Sequence, residues 1–444
     1  MAPSPPLYTI PIKDRPPHGP LTSKILFPIL FNLANLGVNS AQFCAVPLLL
    51  IPLFGRRLYE SVIGWTKDGY GRCLIMITVL FGPTSLVITT DAPPDLAGLV
   101  ERDDSGQMTR INLPDRLVVM ANHQAYTDWM YLWILACYAG HARGITILLK
   151  AALKKVPVVG WGMQFFRFIF LNRSWAADRD NLTKALTRLA REARDPAETA
   201  ESDGTDESAS LLAKARHKTR SPLWLLIFPE GTIPSDEERA KSVKYANREG
   251  VDDFVTLLHP RSTGLLFCLR TLIPQVPDLK LLDLTIGYPG IPLGNYPQDH
   301  YGLLSVFFRS VPPPTVHLHM HLYSDLSSPD SGIPSLISPR TTEIIEGEGK
   351  DDSVPPGDTG LATKEEARAF ELWIRDVWTK KEQRMKAFYA EQKFVSSEGG
   401  ESAREIIPIR QTRWYHWFAA YGGGGMGTVA VIGVAIGALF GIRQ

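Results

Sequence analysis

The chain has 444 residues, 45% hydrophobic and 10% aromatic, a composition too apolar for a disordered polymer and long enough for one large domain with appendages. Its 47 Lys and Arg against 46 Asp and Glu leave a net charge of +1, which removes any global electrostatic case for nucleic acid. Four scattered cysteines (Cys44, Cys73, Cys137 and Cys268) form no C-x-x-C pair, so neither a zinc ribbon nor a disulfide framework is encoded.

Residues 1–24 open on a proline-rich stretch, MAPSPPLYTIPIKDRPPHGP, that predicts disorder. Residues 25–54 are apolar over more than the roughly 20 positions a bilayer crossing needs. Asn32, Asn35, Asn39 and Gln42, with Pro28 and Pro47, interrupt them, which predicts a signal anchor or a bent, partly re-entrant helix. A second apolar stretch, 73–90, has about the minimum spanning length. Arg56, Arg57, Lys67 and Arg72 lie between the two and suit an anionic membrane surface. Residues 25–91 are therefore expected to be N-terminal membrane segments, with two crossings that leave the following domain on the side of the N-terminus.

From 92 to 324 short apolar runs alternate with helical stretches. RLVVMA, ITILLK, FRFIFL, LWLLIF, LDLTIGY and TVHLHMHLY read as strands, with helices at 125–140, 176–194 and 261–272. A further helix is expected at 363–391, inside a helical region 363–395. The fold class this predicts is α/β and layered. Two polar stretches break the pattern, 195–222 as an insertion and 325–362 as a linker, both expected to be disordered. Residues 414–443 predict a C-terminal transmembrane helix. Trp414, Tyr415 and Trp417 form its interfacial belt, and Gly433, Gly437 and Gly441 give it a smooth face.

The chemistry is concentrated where a strand ends in Asn122-His123 and a helix follows. An Asp in that helix's first turn, Asp128, can hold one imidazole nitrogen and leave the other free to take a proton. This is the base and orienter of a triad without its nucleophile: no G-x-S-x-G elbow occurs and no cysteine neighbours His123. The simplest completion is a hydroxyl brought by the substrate. Two further pieces accompany the pair. LWLLIFPEGT runs a strand into a Pro-Gly turn that projects Glu230 and Thr232. KAALKKVPVVGWGMQFFRFIFLNR interleaves Lys150, Arg167 and Arg173 with aromatic residues, as suits a phosphate head group at a membrane surface.

In this order the pieces resemble the H-x-x-x-x-D glycerolipid acyltransferases, the superfamily of the lysophosphatidic acid acyltransferases. NHQAYTDW matches the first motif, KAALKKVPVVGWGMQFFRFIFLNR the second, FPEGT the third and LLHPRSTG (257–264) the fourth. GWGMQFFRFIFLNR, LHPRSTG, HLHMH and LWIRDVWTKKEQRMKAFY resemble the branch containing lysocardiolipin and lysophosphatidylinositol acyltransferases. The resemblance implies a layered acyltransferase fold, His123 as general base, Asp128 as its orienter, and attack by a lysophospholipid hydroxyl on an acyl-CoA thioester. Acyl-CoA is then a co-substrate and no cofactor is expected. Asn122, Lys150, Arg173, Glu230, Gly231, Thr232 and Pro260 are implied as substrate-binding residues. A membrane setting is implied, the endoplasmic reticulum with a cytosolic catalytic face or else a mitochondrial membrane.

The family's lysophosphatidic acid enzymes usually carry Arg after E-G-T, where this chain has Ile233. That favours a larger head group, unless Arg239, Lys241 or Lys244 supplies the charge. Phosphatidic acid synthesis, a CoA-independent transacylase and an inert lipid-binding scaffold stay open as alternatives. His317, His319 and His321 alternate on one strand face. Sheet packing is expected of them, with no metal site.

Overall fold

The computed structural model describes residues 5–91, 98–172, 174–193, 221–326, 328, 331–334, 336, 362–394 and 404–420. In chain order its helices are α1 (Leu21–Ala45), α2 (Gly55–Phe81), α3 (Asp128–Tyr138), α4 (Val159–Phe165), α5 (Trp175–Ala193), α6 (Asp236–Glu249), α7 (Ser262–Leu272) and α8 (Lys364–Glu391). The strands are β1 (Ser85–Thr90), β2 (Val100–Arg102), β3 (Met108–Ile111), β4 (Arg116–Ala121), β5 (Ile145–Lys150), β6 (Ile169–Leu171), β7 (Leu223–Ile227), β8 (Lys280–Gly287), β9 (Thr315–Tyr323) and β10 (Arg404–Pro408).

Eight strands form one sheet in the order β10-β1-β9-β8-β4-β7-β5-β6, and β2 and β3 pair separately. The run β8-β4-β7-β5-β6 is parallel, while β9 lies antiparallel to β8 and parallel to β1. Every residue of β4 and β7 is buried, as strands covered on both faces by helices require. The helices pack in two groups, α1 and α3 on α2, and α5 and α8 on α7. Local signals set several boundaries. Thr363 and Glu366 form a capping box that starts α8, and Gly250 closes α6 in the left-handed conformation. The parallel run brings the carboxyl ends of β4, β7, β5 and β8 to one edge, where ligands of open α/β sheets bind.

Three expectations are corrected here. Residues 73–90 are not a second membrane segment: Cys73, Leu74, Ile75 and Met76 are wholly buried at the end of α2, and β1 lies inside the sheet. The break at Gly82-Pro83 divides a core helix from a core strand, and hydropathy alone does not distinguish protein from lipid as the apolar surroundings. The N-terminal segment is ordered from residue 5. Arg15, 8% exposed, donates to Ser305 Oγ (2.5 Å) and to the His300 carbonyl (2.7 Å). The domain limits 92 and 324 fall short, because the sheet takes β1 and β10 from outside them.

Smaller differences follow similar logic. FRFIFL forms a strand only over β6, since Arg167 sits at φ 58° and turns Phe166 and Phe168 onto Trp133. From the expected linker, Leu326, Ile333 and Leu336 are buried in the core. Most of the insertion 195–222, most of that linker and the C-terminal span beyond residue 420 lie outside the described residues. Among the described residues, Leu21–Leu50 is the one helical stretch long and apolar enough to cross a membrane. Its Asn39 and Gln42 face the protein, Asn39 donating to the Val158 carbonyl (2.7 Å). Its Leu33, Leu36 and Phe43 point outward.

Candidate active site

The site is built at the carboxyl ends of β4 and β7. Asp128 is the first residue of α3 and is fully buried. Its Oδ2 accepts from Nδ1 of His123 (2.8 Å) and from the backbone N–H groups of Gln124 (2.6 Å) and Ala125 (3.0 Å). Its Oδ1 accepts from the Tyr288 hydroxyl (2.6 Å). Burial and then the Asp128 charge push the Tyr288 phenol well above its ordinary value, so it remains a donor. Four donors on one carboxylate fix the tautomer of His123, leaving Nε2 as the acceptor. The imidazole stacks on Phe228 with ring centroids 4.1 Å apart, and its side chain is 16% exposed. The pair can thus offer one lone pair, on a side chain left partly exposed, to an incoming proton.

Glu230 is turned into the protein. It is 2% exposed and accepts from the backbone N–H of His123 (3.4 Å) and Leu258 (3.4 Å) and from the Trp378 indole (3.3 Å). Burial pushes its carboxyl up to about 8, against the opposing pull of those donors and of Lys381. Gly231 closes the turn at φ 73°, donating its N–H to the Phe228 carbonyl (2.9 Å), a conformation that any side chain would strain. Asn122 is also fully buried, its amide exchanging two hydrogen bonds with the Ile286 backbone (2.7 and 3.0 Å) and locking β4 to β8. Asn122 and Glu230, both expected to bind substrate, are thus buried and hydrogen-bonded within the protein.

Lys150 is exposed at the end of β5, and Gly231 and Thr232 reach the surface. Pro260 is buried. Arg173 lies outside the described residues. Arg239 is turned to the backbone, its guanidinium donating to the carbonyls of Phe254 (2.6 Å), Leu257 (2.6 Å) and Val255 (3.1 Å). Lys241 pairs with Glu237 and Glu238 on α6. Reading by motif left Arg261 unnamed inside LLHPRSTG. Its N–H donates to the Pro229 carbonyl (2.8 Å), and its exposed side chain lies 3.7 Å from where a Cβ on Gly231 would stand. Gln124, Tyr288 and Trp378 were also missed, since their partners lie far away in sequence.

Beside the loop, a cavity of about 480 Å³ is lined by Ile12, Tyr126, Leu303, Leu304, Phe308 and Arg309. Tyr126 belongs to the same loop as His123, and Ile12 to the segment expected to be disordered. His317 and His319 pack against Phe394, and His319 Nδ1 meets the Thr89 hydroxyl (3.1 Å). His321 packs on Tyr323. Among the described residues no group of His, Cys, Asp and Glu is placed to hold a metal.

A family model described as acyltransferase matches residues 107–279. The chain is 30% identical over 384 residues to 2-acyl-1-lysophosphatidylinositol acyltransferase of Saccharomyces cerevisiae, an alignment covering 83% of this chain and 87% of the yeast protein. The chain belongs to the acyltransferase family. Lysocardiolipin acyltransferase 1 of Danio rerio is 30% identical over 275 residues, 62% of this chain and 53% of the fish protein. The probable 1-acyl-sn-glycerol-3-phosphate acyltransferase 5 of Arabidopsis thaliana is 29% identical over 211 residues, 48% and 46% of the two chains. No solved structure matches it. The matched span of this acyltransferase holds His123, Asp128 and the FPEGT turn, and ends before α8.

Proposed function

We propose that this acyltransferase esterifies the free hydroxyl of a lysophospholipid, of the lysophosphatidylinositol or lysocardiolipin type, with the acyl group of acyl-CoA. The observation that carries the reading is the His123–Asp128 pair, whose Nε2 is left open at the sheet edge. The likeness to relatives named for those acceptors supports the choice of substrate.

In the proposed reaction the lysophospholipid O–H donates to Nε2 and its oxygen attacks the thioester carbonyl. The C–O bond forms, the C–S bond breaks, and the proton passes from imidazolium to the departing thiolate. Asp128 stabilises the imidazolium while it lasts. No acyl-enzyme is formed. Arg261 and Lys150 are the exposed cations offered to the acceptor phosphate, and the cavity at Tyr126 suits an acyl chain. The outward apolar face of α1 supports attachment to a membrane, which we assign to the endoplasmic reticulum with the site facing the cytosol.

A head-group panel tests this with purified protein, radiolabelled acyl-CoA and lysophosphatidylinositol, lysocardiolipin or lysophosphatidic acid in detergent micelles. Transfer to an inositol or cardiolipin acceptor is expected to exceed transfer to lysophosphatidic acid. Preference for lysophosphatidic acid would sink the head-group assignment. Arg261→Ala is expected to raise KM for the acceptor about tenfold, the order of one lost charge-assisted hydrogen bond, and to leave KM for acyl-CoA unchanged. An unchanged acceptor KM would exclude Arg261 from phosphate recognition.

A further inference from the structure

Beneath the catalytic loop, α8 contributes buried polar groups that the proposed reaction does not itself use, from a helix outside the family match. Trp378, Lys381 and Glu382, spaced to share one helix face, are respectively 0%, 0% and 3% exposed. The Trp378 indole donates to Oε1 of Glu230 (3.3 Å), the oxygen that also accepts the His123 backbone N–H (3.4 Å). One turn on, Glu382 accepts from the N–H groups of Val255 (2.7 Å), Thr256 (3.1 Å) and Leu257 (3.2 Å), and from the Thr256 hydroxyl (2.5 Å). The Thr256 carbonyl accepts in turn from Nε2 of Gln124 (3.3 Å), the neighbour of His123 on its other side.

Lys381 fastens the helix to β8 through an ion pair with Asp283 (2.6 Å) and a hydrogen bond to the Leu284 carbonyl. Gly287 of β8 allows the close approach, since a Cβ there would stand 2.9 Å from the Phe388 ring. Apolar contact alone would hold a helix on a sheet. Burying Glu382 and Glu230 adds a desolvation cost. What those carboxylates hold is the His123 N–H, through Glu230, and the Val255–Leu257 backbone that accepts the Gln124 side chain and leads to Arg261, through Glu382.

We propose that α8 is a positioning helix of the acyl-transfer site, Trp378 acting through Glu230 and Glu382 acting through Thr256 and Gln124 to set the orientation of His123. The inference rests on the reaction proposed above. Two variants of the full-length protein separate positioning from folding: Trp378→Phe keeps the ring and removes the N–H, and Thr256→Val keeps the shape and removes the hydroxyl. Each is expected to lower kcat by roughly three- to tenfold with both KM values within about twofold, the pattern of a misaimed base. Phe370→Leu, fully buried on the same helix, is the control, expected to lower the thermal midpoint and leave kcat of the folded fraction unchanged.

Wild-type kcat in both polar variants overturns the proposal, as does a kcat that falls in all three in step with the thermal midpoint. His123→Ala is assayed alongside. If it keeps full activity, the reaction itself has been misread. If it is inactive while Trp378→Phe and Thr256→Val are unimpaired, only the role of α8 is lost.

Discussion

His123→Ala should reduce acyl transfer by about 10³-fold, within the range that a positioned general base contributes. The imidazole lies at the sheet's rim, 16% exposed, with one hydrogen bond to Asp128 and one aromatic face on Phe228. Its removal leaves no buried acceptor stranded, because Oδ2 of Asp128 keeps the Gln124 and Ala125 N–H groups. Thermal unfolding of the variant should therefore match wild type within a few degrees while kcat collapses. Activity within tenfold of wild type would remove His123 from the reaction.

Asp128→Asn is the second large effect, and its direction follows from the donors around it. Two backbone N–H groups at the Oδ2 position would hold the amide oxygen there, and the Tyr288 hydroxyl can rotate to accept from the amide nitrogen. The His123 tautomer survives. What disappears is the negative charge beside a forming imidazolium, so kcat should fall about 10²- to 10³-fold with a modest loss of stability. Tyr288→Phe, which removes one donor and no charge, should cost less than about tenfold in kcat. Equal losses in the two variants, measured at saturating substrate, would contradict a charge role for Asp128.

What could be read in the sequence was whatever acts locally. His123 and Asp128 are five residues apart, so strand, turn and helix start declare their meeting in one line. The parallel core strands were legible as short apolar runs because both their faces are covered. Residues 73–90 misled because a helix and a strand buried in the core are as apolar as a span. Glu230 reads as a ligand contact because its turn projects from the sheet, whereas donors distant in sequence, the Trp378 indole and the His123 and Leu258 N–H groups, hold the carboxylate inward. The proline-rich start carried no apolar pattern, and its order depends on Arg15 meeting partners almost 300 residues away. β10 is hard to read from sequence because REIIP is short and its partner β1 lies in a stretch as apolar as a membrane span.

The most direct test of the central claim follows the label from acyl-CoA with purified protein and lysophosphatidylinositol. Labelled phosphatidylinositol and free CoA are expected in equal amounts, with no transfer when acyl-CoA is replaced by an acyl-phospholipid donor and about a thousandth of the wild-type rate from His123→Ala. Transfer from the phospholipid donor without CoA, or label recovered as free fatty acid in place of phospholipid, would contradict it.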